Sequence, residues 1–443
     1  MNKRLSLDGF YRALDTVFSR TVSSSFDYID VKRYCALLEA YRGDKKRIKI
    51  SEALDELECR MSDNYFKKVF LAQTQVMHYA SALYPAYMFI MSEDLAEDWL
   101  ATVDFHKRFA RDHSLHQPLT AYIVAELLGY GNPSNALKIP VSSNDLLSFC
   151  TESIFTSCNY VFEYAKEAGV PDSLLNPSGS LNKNSVTFQY WMDLFYQTAL
   201  LSALFHDMGY PWQYLGRIGY PLGKSTNALK PSIASVPLIM DRYKNRMVLL
   251  PFRQYQKPRI GQPSFVAEEM YEKIRMAIEQ THGLPGGIAF LELNDAIRSY
   301  PCNSPFVAQH DFSIEWAAMG IVMHDMVSQH KKDASLHIDF LTDPLSSIVS
   351  LADYLEEFHR PNVSFTHGVR SSKIIYSHAC EEAIVSVNGH TLNVKMKYTK
   401  KSHLASANLF KKEETEDYFG GSLPYIDMKS IGIDQVVFKA VLK

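Results

Sequence analysis

A histidine and an aspartate stand side by side at the end of an apolar stretch near the middle of the chain. Residues 199–205 are almost entirely apolar, and His206 and Asp207 follow, with Gly209 and Pro211 close behind. Glycine tolerates left-handed backbone and proline cannot continue a helix, so the sequence predicts a buried helix that ends at this pair. Two interpretations are open here: a capped core helix with a chance doublet, or a metal-ligand pair on a rigid element.

Further histidines and an aspartate occur at predicted helix ends or on apolar helix faces. With the doublet, the candidate metal ligands in chain order are His116, His206, Asp207, His282, His324 and Asp353. Asp353 falls within the apolar pattern of a helix that Asp343 and Pro344 open, where a carboxylate needs a partner. Imidazole and carboxylate ligands suit Mn, Fe, Ni, Zn or Mg, which predicts a site for one or two divalent ions.

The first ligand of the series has two candidates. His113 and His116 are three residues apart beside Pro118, so on a helix they share a face. Either histidine could be the ligand, and the other could contact the substrate or a ligand. His113 is therefore also a candidate general acid or base.

A strongly basic segment follows the doublet. Residues 216–265 contain nine lysines and arginines and one acid, Asp241, although the whole chain is slightly acidic. We expect an anion-binding insertion; a solvated insertion and a nucleic-acid groove are the alternatives. Arg217, close to the doublet, is a candidate for neutralising charge on a phosphoryl group, and the other candidate phosphate ligands are Lys224, Lys331 and Lys332.

Composition excludes several classes of protein. The chain has 443 residues, of which 47% are hydrophobic and 21% charged, and a formal net charge of −3, which gives no drive toward nucleic acid or anionic membrane. Its six cysteines lack paired spacing, so we expect reduced thiols and no thiolate metal site. Neither a signal-peptide pattern nor a long apolar run is present, and we expect a cytoplasmic protein without a membrane partner.

The predicted fold class is mainly α, in three regions. These are an N-terminal helical region (1–95), a catalytic domain (96–360) that carries the basic insertion, and a small β-rich region (361–443). Strands are expected at 373–376, 383–387, 391–398 and 435–442, with a type I′ turn at Asn388-Gly389, as a small antiparallel tail. The charged run at 411–417 is expected to be a solvated loop.

The ordered set H…HD…H…H…D resembles the HD-domain superfamily of metal-dependent enzymes. The matching pieces are residues 111–116, 205–210, 282–287 and 343–353, within a span of about 100–360. The resemblance implies a helical bundle whose primary metal site is His116, His206, Asp207 and Asp353, while His282 and His324 match the extra histidines of two-metal members. Insertions would account for the long spacings of 90 residues from His116 to His206 and 76 from His206 to His282.

Most members of that superfamily are phosphohydrolases, and nucleotides are common substrates. The expected function is metal-dependent hydrolysis of a nucleotide or a related phosphoester or phosphoanhydride, with a deoxynucleoside triphosphate among the candidates. An HD-type di-iron oxygenase is one alternative, because ligand order does not report redox state. A nucleotide-sensing regulatory protein is another, and a homo-oligomer is compatible with either.

Overall fold

The computed structural model describes fourteen segments of the chain. They are residues 2–6, 9, 113–129, 135–141, 145–158, 161–162, 165–166, 172–175, 183–207, 209, 281–298, 307–332, 336–358 and 380–443. The basic insertion at 216–265, the strand expected at 373–376 and nearly all of the N-terminal helical region lie outside these residues. The three-domain division therefore stays a prediction.

Helices make up most of the described chain, which confirms the mainly α class. In chain order they are α1 (His113–Leu128), α2 (Leu146–Thr156), α3 (Asp172–Leu175), α4 (Val186–Phe205), α5 (Gly283–Arg298), α6 (Val307–His324), α7 (Val327–His330), α8 (Pro344–Leu355) and α9 (Lys401–Phe419). The HD type of this helical assembly stays a prediction.

Side-chain caps fix where the main helices begin. The Ser185 hydroxyl accepts a hydrogen bond from the amide of Phe188 at the start of α4, and the Asp343 carboxylate accepts one from Ser346 at the start of α8. Pro344 occupies the first turn of α8, where its missing N–H costs nothing. The predicted helix opening at Asp343 is therefore confirmed.

The core lies where α1, α4, α6 and α8 pack against one another, with α5 against α6. Every residue of α8 is buried, and so is every residue of α4 from Leu194 to Phe205. Trp191 and Trp316 are fully buried, and the Trp316 ring centroid lies 5.9 Å from that of Phe195. Helices covered on all sides hold their ends rigidly, which matters for the side chains at those ends.

A four-stranded sheet stands beside the helices in the order β1 (Lys3–Ser6), β3 (Glu382–Asn388), β4 (Thr391–Tyr398), β6 (Gln435–Leu442). Gly389 in the predicted Asn388-Gly389 turn has φ +57°, as a type I′ turn requires. A separate parallel pair joins β2 (Ile338–Asp339) to β5 (Ile426–Asp427).

Two expectations about this region are wrong. The tail is not purely antiparallel, because β4 and β6 pair in parallel, and the run at 411–417 is part of α9 rather than a loop. The two errors have one cause: parallel neighbours need a long crossover connection, and α9 supplies it. The other edge of the sheet is also unexpected, since Lys3–Ser6 forms a strand within the region predicted to be helical.

The buried face of the sheet gives a first test of the packing. Leu392 on β4 is fully buried, so Leu392→Ala should lower the free energy of unfolding by about 2–5 kcal/mol. Lys395→Ala on the exposed side of the same strand is the matched control. Urea unfolding followed by circular dichroism checks both, and equal midpoints for the two variants would contradict the packing described.

A half-buried carboxyl in the bundle gives a test by pH. Burial raises the pKa of Glu315 on α6 from 4.5 to about 7. The folded protein then holds this proton more tightly than the unfolded chain, so the free energy of unfolding falls as pH rises from about 4.5 to 7. Glu315→Gln lacks this ionisable group. The melting temperature of the variant minus that of the wild type should therefore rise from about pH 4.5 to 7 and stay constant above pH 7.

Thermal melts in the presence of a chelator, at intervals from about pH 4 to pH 8, measure this difference. Glu413→Gln, at an exposed position on α9, is the matched control and should follow the wild type throughout. Parallel curves for Glu315→Gln and the wild type would show that the carboxyl does not titrate as described.

Candidate metal centre

Six side chains from five elements converge at the ends of their helices. His116 lies in the first turn of α1, His282 immediately precedes α5, and Asp353 is near the end of α8. His324 is the last residue of α6, and His206 is the C-cap of α4, with Asp207 next to it. All six are at most 6% exposed.

One half of the cluster consists of His116, His206 and Asp353. The two imidazole Nε2 atoms lie 3.1 Å apart, and Oδ1 of Asp353 lies 3.1 Å from Nε2 of His116 and 3.6 Å from Nε2 of His206. Two ligands bound at about 2.0–2.1 Å to one ion, at angles between octahedral and tetrahedral, stand about 2.9–3.4 Å apart. The two spacings of 3.1 Å fall in this range and the third, 3.6 Å, is slightly longer, so the three residues could hold a metal ion.

The other half consists of His282 and His324, with Asp207 between the halves. Nε2 of His282 lies 3.0 Å from Nε2 of His324 and 3.0 Å from Oδ1 of Asp207, which is 3.6 Å from Nε2 of His324. The second oxygen of Asp207, Oδ2, lies 3.3 Å from Nε2 of His116. Oδ2 thus faces the first half, while Oδ1 faces the second half and also lies 3.4 Å from Nε2 of His206. His206, Asp207 and His324 form a second group that could hold a metal ion.

Two of the histidines are oriented by the free carbonyls of their own helices. Nδ1 of His206 donates to the carbonyl oxygen of Ala203 at 2.7 Å, and Nδ1 of His324 donates to that of Ile321 at 2.6 Å. The last carbonyls of a helix have no partner within it, so they are available to a histidine three residues further on. Because a carbonyl oxygen can only accept, the neutral imidazole presents an unprotonated Nε2 to the cluster.

The other two histidines stand at helix beginnings, where free N–H groups cannot accept a hydrogen bond. Carboxylates from other elements orient them instead: Oε2 of Glu356 lies 2.6 Å from Nδ1 of His116, and Oδ2 of Asp325 lies 2.9 Å from Nδ1 of His282. Asp325 also accepts the backbone N–H of His282 at 2.7 Å. Each ring is therefore held at Nδ1 and offers Nε2, as metal-binding histidines do.

The electrostatics of the cluster favour cations. Burial lowers the pKa of His206 below its ordinary value against the pull of Asp207, so the imidazole is in the neutral form that binds metal. Burial also acts to lower the pKa of His282, but Asp325 and Asp207 outweigh it and raise the pKa to about 9. Facing lone pairs and carboxylates repel one another unless a proton or a metal ion lies between them, and this donor set suits a divalent metal.

Glycines allow the ligand-bearing segments to approach closely. A Cβ on Gly209 would lie 1.8 Å from the carbonyl oxygen of His282, and one on Gly283 would lie 2.4 Å from that of Val322. Any larger residue would push the doublet away from His282, or His282 away from α6. Packing therefore explains why glycine follows the doublet at Gly209 and follows His282 at Gly283.

The structure brings together all six residues predicted as metal ligands. Between the two candidates for the first position, it is His116 that enters the cluster; His113 is the first residue of α1, and its side chain lies outside the described part. Arg217 and Lys224 also lie outside it. Lys331 and Lys332 are exposed, and Lys331 forms an ion pair with Asp417 at 2.7 Å. The phosphate-binding roles stay predictions.

Glu356 is the functional residue that sequence reasoning missed. Its carboxylate is buried and follows Asp353 by three residues, a spacing that a helix would place on one face. That spacing was the available signal, although Glu356 is the C-cap of α8 and already extended in backbone. Asp325, the residue after His324, is a second carboxylate of this kind, and it orients His282.

Comparisons of the chain with protein-family models, with curated proteins and with solved structures find no match. None of the described helices combines the length and apolarity needed to cross a bilayer. The buried histidine–aspartate cluster is compatible with a metal site of the HD type and is the strongest functional feature of the described residues.

The close approach of Gly209 to His282 can be tested directly. Gly209→Ala should weaken Co²⁺ binding by about 10- to 100-fold, the range known for changes that disturb the support of metal ligands. Isothermal titration of the metal-stripped protein measures the affinity. Gly389→Ala, which strains a turn with nothing within 4 Å, is the control for general destabilisation and should bind Co²⁺ as the wild type does.

Proposed function

We propose that this protein is a metal-dependent phosphohydrolase of the HD type that acts on a nucleotide or a related phosphoester or phosphoanhydride. The observation that carries the proposal is the placement of Asp207, whose carboxylate lies between the two halves of a buried cluster of four histidines and Asp353 and has an oxygen within 3.6 Å of each histidine. A carboxylate between two sets of imidazole nitrogens suits a pair of divalent ions, the arrangement that many phosphoryl-transfer enzymes use.

The family assignment rests on the constellation. The residues that match the HD motifs in sequence order are the ones that converge in space, although the first and last of them, His116 and Asp353, are 237 positions apart. A chance doublet at the end of a core helix would not collect the other expected ligands around it. This convergence supports the HD interpretation over that of a capped core helix.

The reaction proposed is attack of water on phosphorus, in which a new P–O bond forms and the bond to the leaving group breaks. Divalent ions bound in such a cluster supply Lewis acidity to phosphoryl oxygens and lower the pKa of bound water. The protein's own part is orientation, since Glu356 and Asp325 hold the rings of His116 and His282 through Nδ1. The six cluster residues are at most 6% exposed, and this burial strengthens the electrostatic interactions among them.

Charge on the phosphoryl group requires cations from the protein as well. Arg217 stays the first candidate because of its closeness to the doublet in sequence, and Lys224 belongs to the same basic segment. Lys331 is the weaker candidate, because its ammonium group is already paired with Asp417. His113, at the start of the helix that carries His116, stays the candidate general acid or base.

A turnover screen tests the proposal. Purified protein, stripped and reloaded with Mn²⁺, Mg²⁺, Co²⁺, Ni²⁺ or Fe²⁺, is given ribo- and deoxynucleotides, and the release of phosphate or pyrophosphate is measured. We expect turnover with at least one metal, reduced in His206→Ala and Asp207→Asn to the level of the stripped wild type. His390→Ala, an exposed histidine on the hairpin, is the matched control and should keep full turnover.

Two outcomes would overturn the proposal. Full turnover by the stripped Asp207→Asn protein would show that the cluster does not carry the reaction. Iron bound as isolated, with oxygen uptake on adding a polyol or phosphonate and no release of phosphate from nucleotides, would identify the oxygenase alternative instead.

A further inference from the structure

The C-terminal segment, residues 401–428, contacts the ends of two helices that carry the cluster, α6 and α8. We propose that residues 401–428 form a clamp that sets the geometry of the metal centre, with Lys411 and Tyr425 as its positioning residues. The inference rests on the metal centre of the proposed function but not on the substrate or on the reaction. Neither residue belongs to the motifs that the sequence singled out as ligands.

Lys411 holds the end of α8. Its side chain is 2% exposed, and Nζ donates to the backbone carbonyl of Tyr354, the residue that follows Asp353. The last carbonyls of a helix lack partners within it, and a cation there also interacts favourably with the helix dipole. An ammonium group placed at this carbonyl therefore fixes the turn from which the Asp353 carboxylate projects.

The charge of Lys411 also balances a concentration of acids. Nζ lies 3.0 Å from Oε1 of Glu357 and 2.6 Å from Oε2 of Glu414. Glu357 is adjacent to Glu356, whose carboxylate orients His116. Loss of the lysine would remove a positive charge from buried Glu357, the residue next to the group that holds His116, and removing one partner of a buried ion pair is costly.

Tyr354 contacts α9 through both its hydroxyl and its ring. Its hydroxyl lies 2.7 Å from Oγ1 of Thr415, its ring lies 3.9 Å below Nζ of Lys411, and its centroid is 4.9 Å from that of Phe419. Aromatic and cation–π contacts of this kind add to the burial of the ring. The backbone at Asp353 is thus anchored through its neighbour on both the carbonyl and the side-chain side.

Tyr425 holds the end of α6 in a similar way. Its hydroxyl donates to the carbonyl oxygen of Met323 and accepts the backbone N–H of Met326 at 3.2 Å. Between these two residues lie His324, from the cluster, and Asp325, which orients His282. One phenol therefore closes the turn that presents both groups.

The two holding points are joined to each other. The ring of Tyr418 lies 5.7 Å from that of Tyr354 and 5.8 Å from that of Tyr425, centroid to centroid. The backbone carbonyl of Tyr425 also accepts the N–H of Ile338, where β5 pairs with β2. A movement of the C-terminal segment would therefore be transmitted to the ends of α6 and α8 together.

Cobalt binding by the full-length, metal-stripped protein tests the clamp. Lys411→Met keeps an unbranched side chain, one atom shorter and without the charge, and Tyr425→Phe removes a single oxygen atom. Each should weaken Co²⁺ binding by about 10- to 100-fold and change the visible absorption of bound Co²⁺, which reports ligand geometry. Lys412→Met, the adjacent exposed lysine, is the matched control and should leave both properties unchanged.

Stability measurements distinguish a purely structural role of the clamp from a role in setting the geometry of the metal centre. Leu392 lies on β4, outside residues 401–428 and outside α6 and α8. Leu392→Ala should therefore bind Co²⁺ with the wild-type affinity and spectrum even though its metal-free form melts earlier. The double variant Lys411→Met/Glu357→Gln removes both charges of the buried pair, which should recover melting temperature but not Co²⁺ affinity. If Lys411→Met does not fold, Tyr425→Phe carries the test.

The outcomes distinguish this inference from the proposed function. Wild-type affinity and absorption in both Lys411→Met and Tyr425→Phe would overturn the clamp and leave the metal centre standing. An equal loss in Leu392→Ala would overturn it as well, because the effect would then follow from stability alone. Failure of the wild-type protein to bind Co²⁺ or any other divalent metal would overturn the metal centre and the clamp together.

Discussion

The described structure depends on one electrostatic constraint: imidazole nitrogens and carboxylate oxygens face one another at about 3 Å in a space that water hardly reaches. Such a concentration of lone pairs is unfavourable in a low-dielectric interior unless positive charge occupies it. In solution the groups would separate. They stay together here because each side chain projects from the end of a helix whose body is buried in the core.

The helix ends do more than position the side chains, since they also decide how each histidine is oriented. At the C-terminal ends of α4 and α6 the helix's own carbonyls accept from Nδ1 of His206 and His324. At the N-terminal ends of α1 and α5 no such acceptor exists, and Glu356 and Asp325 are brought in from other elements. In all four histidines the ring is fixed and Nε2 is directed inward. Two kinds of acceptor fix the rings, because the C-terminal end of a helix exposes carbonyls and the N-terminal end exposes N–H groups.

Sequence reasoning succeeded where the signal was local. Caps and breakers located the helix ends, the Asn388-Gly389 dipeptide located the hairpin, and the order of histidines and aspartates selected the six residues that converge. It failed where the partner was distant: Lys3–Ser6 becomes a strand only because β3 lies beside it, almost 380 residues later. Glu356 was missed because a buried glutamate after a helix becomes informative only once His116 is known to face it.

The charged run of α9 is another place where the sequence does not reveal a distant partner. Lysines and glutamates in succession normally indicate solvent, and Lys412 and Glu413 are exposed as that pattern predicts. Lys411 differs from them in nothing that its own type or immediate neighbours reveal, yet it is buried because the end of α8 presents a carbonyl and an acid to it. The end of α8 combines a free carbonyl with a buried acid, and the cation that binds both comes from a segment about 55 residues further along the chain. The helices that carry the cluster and the C-terminal segment therefore pack as one unit at this point, although the boundary predicted from the sequence passes between them.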